Sequence, residues 1–213
     1  MGYTTASLVE SSLRATASFS SSTTPTLETV NGWIEEVDSH IDGLANRVFD
    51  VKGYSELFHF GGEAYLFVRN TPLVDVTSVE YNISSDGTAP SWVTLTENVD
   101  YIVDSVKGMI VLLSTVRSYS QGYNKFRVIY TAGYTVLPPR VRMLATKLVA
   151  LRVLDSLIYS NVNSRNDGGS VSVGDIRIVE PSSYGVGSYK QLQSDIASLE
   201  DGLVGGFRVL RYG

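Results

Sequence analysis

Between residues 24 and 48, apolar side chains recur at alternating spacings of three and four: Leu27, Val30, Ile34, Val37, Ile41, Leu44 and Val48. One narrow stripe of that period predicts an amphipathic helix of about six turns. Thr24-Pro25 offers its start, a hydroxyl cap followed by proline at the first helical position. Upstream, Thr4 or Thr5 can cap a short helix through Ala15, which the Ser/Thr-rich residues 18–24 break. From residue 55 the period changes to two. Candidate strands cover 57–60, 64–69, 74–83, 91–96, 101–104, 109–113 and 125–131, with turn residues such as Gly61-Gly62, Asp86-Gly87 and Lys107-Gly108 between them. In the third strand the apolar parity changes, from Val74 and Val76 to Val79, Tyr81 and Ile83. A bulge near Thr77-Ser78 restores one buried face. Seven short strands in this span predict a small antiparallel sandwich or barrel.

Leu137-Pro138-Pro139 ends the last strand and starts a second long helix, with Val141, Leu144, Leu148, Leu151, Leu154 and Ile158 as its stripe. Residues 161–169 read as a loop, 171–180 as strand, and Tyr189, Leu192, Ile196, Leu199 and Leu203 return to helical spacing. Gly205-Gly206 reads as a hinge before an apolar, basic terminus. The fold class is therefore α+β: a helical bundle interrupted by an antiparallel β-sandwich or barrel insert, with an extended C-terminal tail. The expected divisions are 1–54 with 135–160 as the bundle, 55–134 as the insert, and 161–213 as an arm with a short helix and a docking segment.

Composition narrows the chemistry. The chain of 213 residues is 43% hydrophobic and 18% charged, ordinary for a folded protein but short of charge, with a neutral, hydroxyl-rich surface. It has no cysteine, which excludes disulfides, thiolate nucleophiles and Cys-based zinc or iron–sulfur sites; two histidines, His40 and His59, exclude a three-His site within one chain. The start, MGYTTASLVE, lacks the basic and apolar regions of a secretory signal, and no window of 18 apolar residues predicts a membrane span. Net charge is −5, unevenly spread: residues 1–50 carry −5 and residues 138–160 carry +3. No concentrated basic face suggests tight nucleic-acid binding. No Walker loop, G-x-S-x-G, H-E-x-x-H or dinucleotide fingerprint occurs, so the expectation is a protein that is not an enzyme and needs no cofactor or metal. Asp100 and Asp104 flank a strand and read as solvated carboxylates. Trp33 and Trp92 read as packing residues, and His40 and His59 as surface or inter-strand imidazoles.

Residues 72–150 contain PLVDVTSVEYN, VDYIVDSVKGMIVLL and FRVIYTAGYTVLPPRVRMLATKLVALRV, in that order. The Pro-Leu-Val strand start, the Asp-Tyr-x-Val-Asp…Gly-x-Ile hairpin and the Tyr-Thr-Ala-Gly-Tyr…Pro-Pro lead into a helix resemble the head–tail connector, or adaptor, proteins of tailed bacteriophages. With the N-terminal helices, the resemblance covers about residues 1–160 and leaves the tail unmatched.

The resemblance implies a structural virion protein at the neck, assembled in host cytoplasm. It implies a ring of about twelve copies held by heterologous contacts, which joins the portal to a downstream stopper or tail protein. Double-stranded DNA would pass through its lumen without sequence-specific binding, and no membrane is involved. A weakly acidic chain suits a pore in which DNA slides, since phosphate is repelled. Acidic Glu35, Glu36, Asp38 and Asp42 can pair with basic Arg140, Arg142, Lys147 and Arg152, within a subunit or between neighbours. Phe207, Arg208, Val209, Leu210, Arg211 and Tyr212 form the candidate portal-docking strand, with apolar and basic side chains that favour burial on a partner; a strand folded back onto the chain's own insert is the other reading. Two other readings stay open: a stopper or tail-terminator neck protein, and a virion carbohydrate-binding module with Trp92 on its platform.

Overall fold

The computed structural model describes residues 2–84, 88–114, 116, 119, 121–160, 170–173, 176–179 and 185–207; for 158–160, 170–173, 176–179, 185–188 and 207 it defines secondary structure alone. The chain divides into two compact units, Met1–Arg47 with Leu137–Gly213, and Val48–Val136.

The first unit is helical. Helix α1 (Ala6–Leu13) starts at Thr5, whose side chain accepts the Leu8 N–H at 3.3 Å. Helix α2 (Leu27–Ala45) starts at Thr26, whose hydroxyl accepts the Thr29 N–H at 3.2 Å. The expected start at Thr24-Pro25 is thus corrected by one turn's fraction. Pro25 belongs to the preceding turn, where its carbonyl accepts the Thr23 hydroxyl at 2.9 Å and Thr23 in turn accepts the Ser20 N–H at 2.9 Å. At the other end Asn46 adopts φ 50° and closes the helix, one turn before Val48. The buried face of α2 runs Val30, Ile34, Val37, Ile41 and Ala45. A stripe spaced by 3.5 residues drifts about 20° per heptad on a straight helix, which moves burial from Leu44 to Ala45.

Helix α3 (Pro139–Ser160) begins with proline at its first position, as its sequence requires. It contacts α1, α2 and the last helix, α4 (Gly185–Phe207). Neighbours on three sides explain why its buried residues, Val141, Leu144, Ala145, Val149, Ala150, Val153 and Leu157, differ from the expected leucine stripe. Leu148, Leu151 and Leu154 are only half-buried. An apolar helix packed on several sides has no single stripe. Strands β8 (Ser170–Val173) and β9 (Ile176–Val179) form an antiparallel hairpin.

Helix α4 corrects the expected arm. It spans 23 residues, not a short segment, and packs on α2 and α3 through buried Ile196 and Leu203. The helix continues through Gly205 and Gly206, so the hinge is absent, and Phe207 is the helix's last residue instead of the first of a strand. Glycine weakens a helix by about 1 kcal/mol but does not end one that packing holds. The remainder of the expected docking segment, residues 208–213, lies outside the described residues.

The second unit is built of β1 (Lys52–Phe60), β2 (Tyr65–Phe67), β3 (Leu73–Asn82), β4 (Trp92–Thr94), β5 (Tyr101–Asp104), β6 (Met109–Leu112) and β7 (Gly122–Ala132). They form two antiparallel sheets, ordered β1-β7-β3-β4 and β2-β6-β5. The pair is sandwich-like and does not close into a barrel. One core joins the sheets, with Phe60, Val79, Tyr81, Phe126, Val128 and Tyr130 from the first and Leu66, Tyr101, Ile110 and Leu112 from the second. The bulge sits at Thr77, since Val76 pairs with Tyr130 and Ser78 with Ile129. A second irregularity, at Val74, had no parity signal. Strand β1 starts five residues before its expected position because Glu56 faces inward, which spoils the apolar alternation. The chain enters and leaves this unit at one place: Lys52 pairs with Ala132, and the Tyr134 N–H donates to the Phe49 carbonyl at 2.8 Å.

Candidate interaction surfaces

The three sequence segments that carry the resemblance meet in space. The Pro72 carbonyl accepts the Gly133 N–H at 3.1 Å, and the Leu73 N–H donates to the Ser105 carbonyl at 3.1 Å. The Gly108 carbonyl accepts the Val68 N–H at 2.9 Å. Gly133 has φ +136°, and a side chain there would strike the backbone of Asp50 and Val51. Gly108, at φ +63°, lies against Thr71 just as tightly. Both positions therefore need glycine for conformation and for room. Beside this junction the Tyr130 hydroxyl donates to Glu56 at 2.5 Å and accepts from the Asn70 side chain at 3.2 Å. Burial, reinforced by the Glu56 hydrogen bond, raises the Tyr130 pKa far above its ordinary value, so the phenol stays protonated. The group ties the β2–β3 connection to the core. It is a structural device.

The outward faces of the two sheets differ. On the four-stranded sheet, register places Leu57, Arg127, Glu80 and Thr94 in one row and Ser55, Ile129 and Ser78 in the next. Arg127 pairs with Glu80, and its guanidinium lies 4.5 Å from the Trp92 ring centroid. That stacking occupies a face of the indole and counts against Trp92 as a sugar platform. On the three-stranded sheet the outward rows are Tyr65, Val111 and Ile102, then Phe67, Met109 and Asp104. Phe67 is 61%, Tyr65 50% and Ile102 45% exposed. Asp104, two residues after Ile102 on β5, shares this face and is ion-paired with Lys107 at 3.3 Å.

The expected charge pairs are redistributed. Glu36 bonds Arg152, joining α2 to α3. Lys147 bonds Asp195 of α4 at 2.5 Å, and this contact, with a hydrogen bond from Gln191, holds the Asp195 carboxyl below the usual carboxylate range. Asp38 and Asp42 hold the N-terminal segment: the Tyr3 N–H donates to both Asp38 oxygens at 3.1 Å, and its hydroxyl to Asp42 at 2.5 Å. Glu35, Arg140 and Arg142 are exposed. The sequence carries no signal for the link between Asp195 and Lys147, since only the packing of α4 on α3 brings them together.

The remaining candidates have local roles. Asp100 accepts the Thr96 N–H at 2.8 Å, and Asp104 the Lys107 N–H at 3.1 Å, so both brace turns. The latter bond holds Asp104 below its ordinary pKa. His40 lies 3.1 Å from Glu200, and the His59 ring packs on Tyr123 at 4.8 Å between centroids. A cleft at the start of α2 is lined by Ser21, Thr26, Leu27, Glu28 and Asn31, with no cationic group. Among the described residues, no three His, Asp or Glu side chains come together as a metal site, and no helix is long and apolar enough to cross a membrane.

No protein-family profile matches the chain, and no curated protein matches it. Among solved structures, it is similar to a chain from the neck of an empty GTA particle with C6 symmetry, at 13% identity and a TM-score of 0.49, over 87% of this chain and 80% of that one. It is likewise similar to a chain from the neck of a native GTA particle with C12 symmetry, at 12% identity and a TM-score of 0.46, over 87% and 84%.

Proposed function

We propose that the chain is a structural, non-enzymatic virion protein of the phage neck: an adaptor whose ring joins the portal vertex to the stopper or tail and continues the DNA channel. The observation that supports this reading most is the convergence of the three connector-like segments, through Pro72 with Gly133 and Leu73 with Ser105, at one junction of the inserted β unit. Residues shared with a family for structural reasons belong where geometry permits no substitute, and Gly133 is such a position. Copies of the chain form the ring, and Arg208 to Tyr212 supply the portal contact.

Electron cryomicroscopy of particles labelled with an antibody fragment against the purified chain tests this. Label is expected between head and tail, and particles that lack the chain should keep their portal and lose their tail. Label at the tail tip, or particles that contain none of the chain, would overturn the reading. Truncation after Phe207 should abolish binding to purified portal; undiminished binding would reassign that contact.

A further inference from the structure

Helix α4 is held to the bundle differently from its neighbours. It packs on α2 and α3, and of its described side chains only Ile196 and Leu203 are fully buried. Helix α2 buries Val30, Ile34, Val37, Ile41 and Ala45 over a shorter length. Half-buried Leu192 and Leu199 and a set of polar ties supply the rest of α4's hold. The Tyr189 hydroxyl donates to Asp155 at 2.6 Å, Lys147 donates to Asp195 at 2.5 Å, and His40 of α2 lies 3.1 Å from Glu200. Water reaches these ties: the Asp195 side chain is 38% and that of His40 49% exposed. Ion pairs so placed hold weakly.

The helix does not hold itself either. Gly202, Gly205 and Gly206 stand in its last turns, and a β-carbon at Gly205 or Gly206 would meet nothing within 4 Å. No close approach of backbone explains glycine there. Glycine is the weakest helix former after proline, so α4 is helical because it is docked.

The contacts also fix what α4 covers. Asp155 meets Tyr189, Lys147 meets Asp195, and the Arg140 guanidinium comes within 3.6 Å of a β-carbon placed on Gly202. Residue numbers fall along α3 as they rise along α4, so the two helices run antiparallel. Lys147, Leu151 and Asp155 stand four apart on one face, and Leu144 lies on that face between Arg140 and Lys147. Leu144 and Leu151 therefore lie beneath α4.

We propose that α4 is a latch: it opens as one unit from a bundle of α1, α2 and α3 that stays folded, uncovers Leu144 and Leu151, and opens as often as the tie of Lys147 to Asp195 at its middle allows. The open bundle keeps contacts that α4 does not make, Glu36 with Arg152 and Thr4 with Thr146. Segments with few buried side chains and solvent-reached ties are the low-stability units of folded proteins. Residues 208–213 follow α4 directly in the chain, so each opening moves them with it. This movement needs neither ring nor portal and stands apart from the neck reading.

Native-state hydrogen exchange of the full chain, read at the middle of each helix to avoid fraying ends, tests the latch. Amides 192–199 of α4 should exchange about tenfold or more faster than amides 34–41 of α2, in denaturant too dilute for global unfolding. Lys147→Met should speed α4 by up to about fivefold, the factor an exposed ion pair is worth, and leave α2 unchanged. The cysteine-free chain allows a lock: Lys147→Cys with Asp195→Cys, joined by a short bismaleimide, should slow α4 to the rate of α2. Equal rates in wild-type α4 and α2 would overturn the latch, since α4 would then open only with the whole bundle. A linked α4 that exchanges as fast as the unlinked variant would overturn it too, because exchange would then come from fluctuations inside a docked helix. Equal acceleration of α2 and α4 by Lys147→Met would overturn the control assigned to the Lys147 tie.

Discussion

The helical unit and the β unit fill their interiors with different side chains and satisfy their polar groups in different ways. The helical interior is mainly aliphatic: Val9, Val30, Val37, Ala45, Val149 and Ala150 pack with the larger Ile34, Ile41, Leu144 and Leu157. Its charges meet at the rims between helices, as Glu36 with Arg152 and Lys147 with Asp195. The β interior relies on Phe60, Tyr81, Tyr101, Phe126 and Tyr130, and it takes polar groups inside with them: Tyr130 brings Glu56 and Asn70, and buried Lys125 reaches the Ser84 carbonyl at 2.7 Å. Rim charges can be altered at little cost. Buried polar groups cannot, because a lone survivor loses both water and partner.

The strongest way to break this comparison is to remove one side of it. Replacement of residues 50–133 by a short Gly/Ser linker is feasible because the Phe49 carbonyl and Tyr134 N–H are already bonded. The variant should retain its helical circular dichroism and a cooperative melt. Loss of all helix would mean that the units share one core. Next in size, Phe126→Ala should cost about 3–5 kcal/mol in denaturant unfolding, as truncation of a fully buried aromatic does; a loss below 1 kcal/mol would contradict its central place.

In the helical unit, Ile34→Asp puts an unpaired charge under α2 and should cost about 3–5 kcal/mol. Leu148→Asp, at a half-buried position, should cost markedly less, and equal losses would show that the expected leucine stripe is the true contact face. Tyr130→Phe should cost about 1–3 kcal/mol, since Glu56 and Asn70 lose their partner without a change of shape; a neutral result would mean that water replaces the hydroxyl.

The smallest effect concerns pH. In the folded chain the Asp195 carboxyl sits below its ordinary pKa through Lys147 and Gln191. Its contribution is complete above the ordinary carboxylate value and is lost as pH falls through the folded value. Lys147→Met should therefore lower stability slightly at neutral pH, where the contribution is complete, and so flatten the acid limb, with stability at the acid end nearly unchanged. An unaltered acid limb would place the acid-sensitive groups elsewhere.

Local chemistry made several elements legible. Thr5 had a hydroxyl where an N-cap needs one. Thr77 stood where apolar parity changed, and a bulge is what reverses parity in a paired strand. Asp104 and Gly108 mark a hairpin because a carboxylate and a positive φ serve the same turn. The α2 stripe held for four turns because one side of that helix faces the bundle. These features depend on neighbours within a few residues, so a single chain segment contains the information.

Other features needed the third dimension. Glu56 looked like the end of a strand pattern until Tyr130, 74 residues away, supplied its donor. Gly205 and Gly206 resembled a hinge, yet the packing of α4 on α2 and α3 carries the helix past them. In α3, apolar residues stand all round, and only the positions of α1, α2 and α4 decide which of them are covered. The outward face of β2-β6-β5 shows the same limit. Tyr65-Leu66-Phe67 and Met109-Ile110-Val111-Leu112 are unbroken apolar runs, so sequence alone establishes a strand but not which face meets the core. Burial is a property of what packs against a residue, and that was settled only when Leu66, Ile110 and Leu112 turned toward the opposite sheet and left Tyr65, Phe67 and Val111 facing out.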